Sequence, residues 1–497
     1  MSGLLLWILL TSLLAGAVIF FLPESGTRLR TAINLLAATL KLALVGVLIA
    51  GVADGRHYET RFELVGGFDL LLQADAFSVL FVTLSAVLWL ATTVYAVGYL
   101  EHSPQRSRFF GFFSLCVTAT MGIALSGNLL TFLFFYELLT LTTYPLIVHR
   151  ETSGSLHAGR RYLLFTLGGG AAALLGTAWL YALAGCVDFQ AGGALSQTLI
   201  DTRAPALTVI FVLLFFGFGV KAALFPLHAW LPGAMIAPAP VSALLHAVAV
   251  VKAGAFGIVR LIYDVYGVSQ AEAMGLLLFV AVMASITILY GSIKALFQDE
   301  LKKRLAYSTM SQVSYIVLGT ALFGPAGTVG GIVHLVHQGL LKITLFFCAG
   351  NLAETLHIHR ISEMRGVARR LPLTMTAFAF AAAGMIGLPL TAGFVTKWYL
   401  GMGAIESGSF WVLAVLGAST LLNAAYFLPI LFTAWFQKPP HPPGHFEPLK
   451  EADGWLLWPT LFVAAVALLA GLFAGADYGT LYWASILTDL EYGKGAP

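Results

Sequence analysis

The chain has 497 residues, of which 59% are hydrophobic and only 10% charged, with a formal net charge of +3. Soluble domains carry about 25% charged residues, so a water-soluble globule is excluded. Continuous apolar runs of roughly 20 residues, each able to cross a ~30 Å hydrocarbon core, recur along the whole length, which excludes a barrel of short alternating strands and makes the fold class an all-α polytopic membrane protein.

In chain order, about fourteen spans are expected, at 4–22, 31–53, 73–100, 108–126, 128–149, 162–184, 206–230, 239–263, 271–294, 304–322, 326–355, 371–401, 409–436 and 453–475. The first run, LLLWILLTSLLAGAVIFFL, lacks a basic n-region and a small-residue cleavage site, so it reads as a retained span. The longest polar connections are RHYETRFELVGGFD (56–69) and the proline-rich KPPHPPGHFEPLKEAD (438–453), and neither reads as a soluble domain. About twenty residues follow the last span. With the N-terminus outside, seventeen of the 27 Lys and Arg fall on inward connections, four on outward segments and six inside spans. That bias satisfies the positive-inside rule and predicts both termini outside; the resemblance given below implies the cell (inner) membrane of a bacterium. Cys116, Cys186 and Cys348 lie far apart with no CxxC pair, and read as buried structural thiols.

The charges inside spans carry the functional information. A centrally placed Lys or Asp costs about 2.5–3.5 kcal/mol even on the lenient insertion scale, so several in one chain point to a polar pathway with partners. Glu137 stands in TFLFFYELLTLTTYP (131–145), mid-span, with no other Lys, Arg, Asp or Glu between Arg108 and Arg150. Lys221 stands in FFGFGVKAALFPLHAWLP, where Pro226 and Pro232 break the helix. Broken backbone at membrane depth is tolerated only where it is buried in protein or lines a wet cavity. Lys252 stands in SALLHAVAVVKAGAFGIVR, with His246 about 240° away around an ideal helix. By itself His246 is either a satisfied core histidine or a member of the polar line.

HLVHQGLLKITLFFCAG places His334, Gln338 and Lys342 at i, i+4 and i+8, one polar stripe with His337 beside it. Zinc at His334 and His337 lacks neighbouring carboxylates or thiols. A proton relay suits imidazoles better, since their unperturbed pKa is near 6.5. Lys397 closes the set in GMIGLPLTAGFVTKWYL, where Gly387, Pro389 and Gly393 predict a second interrupted helix. Spans 7 and 12 are thus both discontinuous and both carry a lysine, the pattern of inverted repeats meeting at the midplane. The expected organisation is spans 1–3 in 1–107, two inverted five-helix repeats in 108–266 (spans 4–8) and 267–437 (spans 9–13), then a loop, span 14 and a tail in 438–497. Lys41 is either structurally paired or functional. Asp75 lies at an interface, and Arg260, near the outer end of its span, can snorkel.

In order and spacing, FYELLTLTTYPLI, GVKAALFPLHAWLPGAMIAPAPVSALLHAVAVVKAG, KKRLAYSTMSQVSYI, HLVHQGLLKITLFFCAG and GLPLTAGFVTKWY resemble the antiporter-like membrane subunits shared by Mrp-type cation/proton antiporters and respiratory complex I. The resemblance covers essentially the whole chain and is strongest to the D-type component of Mrp antiporters. It implies that Glu137 is the fifth-span glutamate, Lys221 its seventh-span partner, Lys252 the central lysine and Lys397 the terminal one. His246, His334, His337 and Lys342 would relay protons between them. It also implies partnership with other membrane subunits, protons and Na⁺ or K⁺ as cargo, and neither cofactor nor metal. The alternatives are a proton-pumping subunit of a complex I-like NADH-quinone oxidoreductase, of a membrane-bound hydrogenase or of an inorganic-carbon-accumulating assembly. A Glu137–Lys221 ion pair that forms and breaks would gate transfer. Direct redox chemistry in this chain is disfavoured, because no Gly-x-Gly-x-x-Gly opens a helix after a strand and no cysteine cluster is present.

Overall fold

The computed structural model describes residues 3–65, 68–100, 103–438 and 451–493, so most of the proline-rich connection (439–450) and residues 494–497 lie outside the described residues. Helices α1 (Gly3–Phe20), α2 (Thr27–Ala53), α3 (Ala76–Tyr99), α4 (Arg106–Ala124), α5 (Leu129–Ile147), α6 (Ser153–Ala184) and α7 (Gln197–Lys221) occupy the first seven expected segments. There follow α8 (Ala239–Tyr266), α9 (Leu276–Leu296), α10 (Leu301–Thr320), α11 (Pro325–Leu356), α12 (Pro372–Ile386), α13 (Ala392–Glu406), α14 (Trp411–Phe436), α15 (Gly454–Leu472) and α16 (Thr480–Glu491). Twelve helices among the described residues are long and apolar enough to cross a membrane. Of the other two expected spans, α10 is more polar, and the segment 371–401 is split into α12 and α13.

The starts of several helices follow from capping side chains. Asp75 accepts from the Ser78 amide (2.7 Å) ahead of α3, and Asn128 accepts from the Thr131 amide (2.8 Å) ahead of α5. Each occupies an orphan donor of a first turn, worth about 0.5–2 kcal/mol. At the centre stand α8 and α11, buried almost throughout. A helix that is apolar all round has no solvent face to satisfy and belongs inside the bundle. Around α11 pack α3, α10, α12, α13, α15 and α16.

Two features differ from the sequence reading and two add to it. The connection 56–69 forms most of an antiparallel hairpin, β1 (Tyr58–Val65) against β2 (Phe68–Ala74), with Tyr58 opposite Ala74 and Arg61 opposite Leu71. Alternating residues flanking the Gly66-Gly67 pair are its signal. Cys186 is exposed, whereas Cys116 and Cys348 are buried; α6 ends at Ala184, which leaves Cys186 in a connection. Arg260 does not snorkel: at 1% exposure it is held by both carboxylate oxygens of Asp75 (2.6 and 2.9 Å) and by Asp264 (3.1 Å). Finally, the tail after α15 is not a free extension. It folds into α16, which packs against α3 and α11.

Candidate functional site

α7 ends at Lys221, and the chain then runs through the short turns Leu227–Ala229, Trp230–Gly233 and Ala234–Ile236 before α8 begins. This is the interruption that Pro226 and Pro232 dictate. Lys221 is fully buried at the carbonyl end of its helix, where the macrodipole favours a cation. Its ammonium donates to the Tyr136 carbonyl and lies 3.3 Å from the centroid of the Tyr136 ring. The Tyr136 hydroxyl donates back to the Gly217 carbonyl of α7 at 2.9 Å, so this tyrosine clamps the end of the lysine helix from both sides.

Glu137 is the next residue on α5, rotated by about 100°, and therefore faces α6 rather than α7. Its carboxylate packs against the backbone of Gly170 and beside Thr140, with Oε1 buried and without a hydrogen-bond partner. The expected direct Glu137–Lys221 ion pair is therefore absent in this arrangement. The two charges act on each other through space, with Tyr136 between them.

Lys252, also fully buried, donates to the Leu335 carbonyl of α11 at 2.7 Å. One turn before it α8 widens into a π-turn over Leu244–Val248, followed by a non-helical Ala249. Such turns recur at functional sites. The widened turn shifts His246 from its ideal phase, so that its imidazole stacks on Phe346 of α11 (centroids 4.6 Å apart) within electrostatic reach of Lys342. Both His246 and Lys252 thus face α11, which an ideal helix did not predict.

α11 carries the line onward. Lys342 donates to the Ser308 hydroxyl (2.6 Å) and points at the Leu305 carbonyl (3.4 Å), both on α10. His334 packs edge-on against Tyr315 of α10, centroids 5.3 Å apart, within electrostatic reach of Lys252, His337 and Lys397. The Lys397 ammonium lies over the other side of that neighbourhood, 5.9 Å from the Tyr315 ring. It donates to the Ile386 carbonyl (2.5 Å) and to the Thr420 hydroxyl (2.9 Å). Ile386 is the last residue of α12, so the helix break supplies an orphan carbonyl for a cation. Gly387 makes the approach possible: its φ is +92°, and a Cβ there would lie 2.8 Å from Lys397 Cδ. His337 sits between Thr396 of α13 (3.3 Å) and Thr480 of α16 (3.0 Å).

Buried polar atoms along this line lack protein partners: both ring nitrogens of His246, both amide atoms of Gln338, and Glu137 Oε1. Left dry, each such group costs about 1–3 kcal/mol. Three contributors were missed in the sequence: Tyr136, Ser308 and Tyr315. Ser308 and Tyr315 are seven residues apart on one face of α10, a signal that the motif KKRLAYSTMSQVSYI contained. Lys41 lies apart from the line, donating to Ser12 (2.5 Å) and resting 4.7 Å from the Trp89 ring centroid. At the face carrying the basic connections, burial, reinforced by Arg108 and Arg150, pushes the His149 imidazole down to about 4.

Residues 126–423, which include every lysine and histidine of the line, match the family model described as NADH:quinone oxidoreductase/Mrp antiporter, transmembrane. The chain belongs to that family. The N-type component of the NADH-quinone oxidoreductase of Desulforudis audaxviator is 35% identical over 448 residues, covering 87% of each chain. The D-type component of the Na(+)/H(+) antiporter of Bacillus subtilis is 29% identical over 438 residues, covering 86% of each. A solved chain of the Mrp complex from Dietzia sp. superposes with a TM-score of 0.85 at 25% identity, covering 99% of this chain and 97% of that one. This antiporter-like subunit is thus similar to members of two kinds of assembly.

Proposed function

We propose that this family member conducts protons through the line Glu137–Lys221–Lys252–Lys397, with His246, His334, His337 and Lys342 as relays, as the Mrp D-like component of a multi-subunit monovalent cation/proton antiporter. The observation that carries the reading is the set of cations spread over α7, α8, α11 and α13, fully buried at Lys221, Lys252 and Lys342 and half-buried at Lys397. Among the described residues none of Lys221, Lys252, Lys342 and Lys397 has a carboxylate in direct contact, and each donates its hydrogen bonds to carbonyls or hydroxyls. An ammonium so held releases its proton at a small electrostatic cost. Moving one charge across 100 mV is worth about 2.3 kcal/mol, comparable to a pKa change of about 1.7 units at 1.36 kcal/mol per unit.

Glu137 is the switch in this scheme. Swung towards α7 it holds Lys221 charged; retracted onto Gly170 it leaves Lys221 to pass its proton towards Lys252. The units 108–266 and 267–437 serve as the two inverted halves, and both termini lie outside the cell membrane. The partners are other membrane subunits, and Na⁺ or K⁺ is the exchanged cation.

The greater identity to an N-type component favours a second reading, a proton-pumping subunit of an NADH-quinone oxidoreductase. Purification of the native complex from its membrane, with identification of the accompanying chains, separates the two. In vesicles of that complex, an imposed Na⁺ or K⁺ gradient moves protons if the antiporter reading is right. Proton movement driven by NADH alone replaces it with the second reading.

A further inference from the structure

Two helices, not one, are interrupted at the height of His337. The break between α12 and α13 is the expected one. The second lies between α15 and α16: Gly471, near the end of α15, packs on the backbone of Thr391 and Ala392, and Thr480 opens α16 against His337 Nε2. From there α16 runs antiparallel to α11 towards that helix's first turn. The Tyr492 hydroxyl accepts from the Gly324 amide (2.9 Å) and lies 3.1 Å from the Thr328 hydroxyl, which is 2.8 Å from Tyr263 of α8. A relay imidazole thus stands at one end of α16 and a hydroxyl network at the other.

Glu491, the last residue of α16, is 6% exposed. Its Oε2 accepts from the Gly192 amide at 3.1 Å, while Oε1 is buried with no hydrogen-bond partner. The titratable and charged groups that act on it are Asp264, Arg260 and Tyr263 of α8, Asp75 ahead of α3, and Tyr492 beside it. Asp75 and Asp264 both bond Arg260, so one guanidinium already serves two carboxylates. Among the described residues, no cation lies within ion-pair distance of this third carboxylate, whose Oε1 is unsatisfied. A proton is the smallest charge that balances it.

We propose that α16 lines the outlet of the polar line and that Glu491 is the group that exchanges protons with water on the side opposite the basic connections. The proposal rests on the proton-conducting reading above. A proton leaving the His337 imidazolium at the Thr480 end of α16 is carried by water along that helix and accepted by the Glu491 carboxylate at its other end, beside the Thr328–Tyr492 hydroxyl pair. Neutral imidazole and neutral acid result, and the acid then releases the proton to water; in the reverse direction each transfer runs backwards.

The test is proton flux across vesicles containing the purified native complex, with Glu491→Gln, Glu491→Asp and Lys397→Ala variants measured in parallel over a pH series. Glutamine keeps the size and the Gly192 contact but cannot exchange a proton. The expected result is at least a ten-fold loss of flux in Glu491→Gln with loss of the wild-type pH profile, an intact complex on size exclusion, and recovery in Glu491→Asp. Flux within two-fold of wild type in Glu491→Gln, while Lys397→Ala is inactive, overturns the outlet and leaves the pathway standing. Wild-type flux in both variants overturns the pathway itself. A loss in Glu491→Gln that keeps the wild-type pH profile and is not recovered by Asp makes Glu491 structural only and also overturns the outlet.

Discussion

Gly170→Ala isolates the position of Glu137 from its presence. A Cβ at Gly170 would lie 2.7 Å from Glu137 Cδ and 3.0 Å from Oε2, and closer still to Oε1. Ordinary contact begins at 3.4 Å, so the carboxyl carbon must retreat by at least 3.4 − 2.7 = 0.7 Å. The atoms displaced are the tip of a flexible side chain, so the backbone need not move. Alanine in a helix interior gains about 0.5–1 kcal/mol over glycine, which offsets part of the roughly 1–3 kcal/mol expected for overpacking. Stability should therefore fall by between about 0 and 2.5 kcal/mol. Transport should change far more, because a misplacement of about 1 Å in a reacting group costs on the order of 10²-fold. The assay is proton flux in vesicles of the native complex beside its thermal melting. Gly168→Ala is the control, since a Cβ at Gly168 meets nothing within 4 Å. Wild-type flux in Gly170→Ala with unchanged melting would refute the claim that the seat of Glu137 matters.

Two further outcomes follow from the same physics. Lys41→Met removes a buried cation whose partners are the neutral Ser12 and the Trp89 ring, and well-packed apolar replacements of buried charges are often neutral or stabilising by about 1–4 kcal/mol. Melting should be unchanged or raised and flux should stay within two-fold; a ten-fold loss of flux would put Lys41 in the pathway. His149, held down to about 4 by burial, is neutral in the folded chain at pH 5 but protonated when unfolded. Its folded value is depressed, so stability is fully present above the unfolded pKa and is lost as pH falls from there towards 4. His149→Phe, which keeps a ring against Phe109, should flatten the loss of thermal stability between pH 7 and pH 5; an unchanged slope would assign that loss to other groups.

The parts of the site legible in the sequence were those for which the membrane makes an exception expensive. Glu137, Lys221, Lys252, Lys342 and Lys397 stand out because charges in apolar runs are costly, and the prolines and glycines beside Lys221 and Lys397 mark the breaks that receive them. What stayed hidden depends on angle and on tertiary contact. An ideal-helix phase separates His246 from Lys252, and no sequence signal gives the π-turn that brings both to α11. Glu137 and Lys221 read as a direct pair, whereas the 100° step between Tyr136 and Glu137 gives the contact to the tyrosine. Arg260 read as a snorkelling residue because Asp75 is 185 positions away in sequence. The docking of α16 was equally unreadable: its buried residues Trp483, Ala484, Leu487 and Thr488 form a short stripe that says nothing of its partner.

The most direct measurement of the central claim is proton flux through the purified native complex bearing Lys252→Ala, at the buried lysine of α8 that donates to the Leu335 carbonyl of α11. With assembly verified by size exclusion, a flux at least ten-fold below wild type is expected at every pH tested. Flux within two-fold of wild type would mean that protons cross without this ammonium, and the buried line would not be their route.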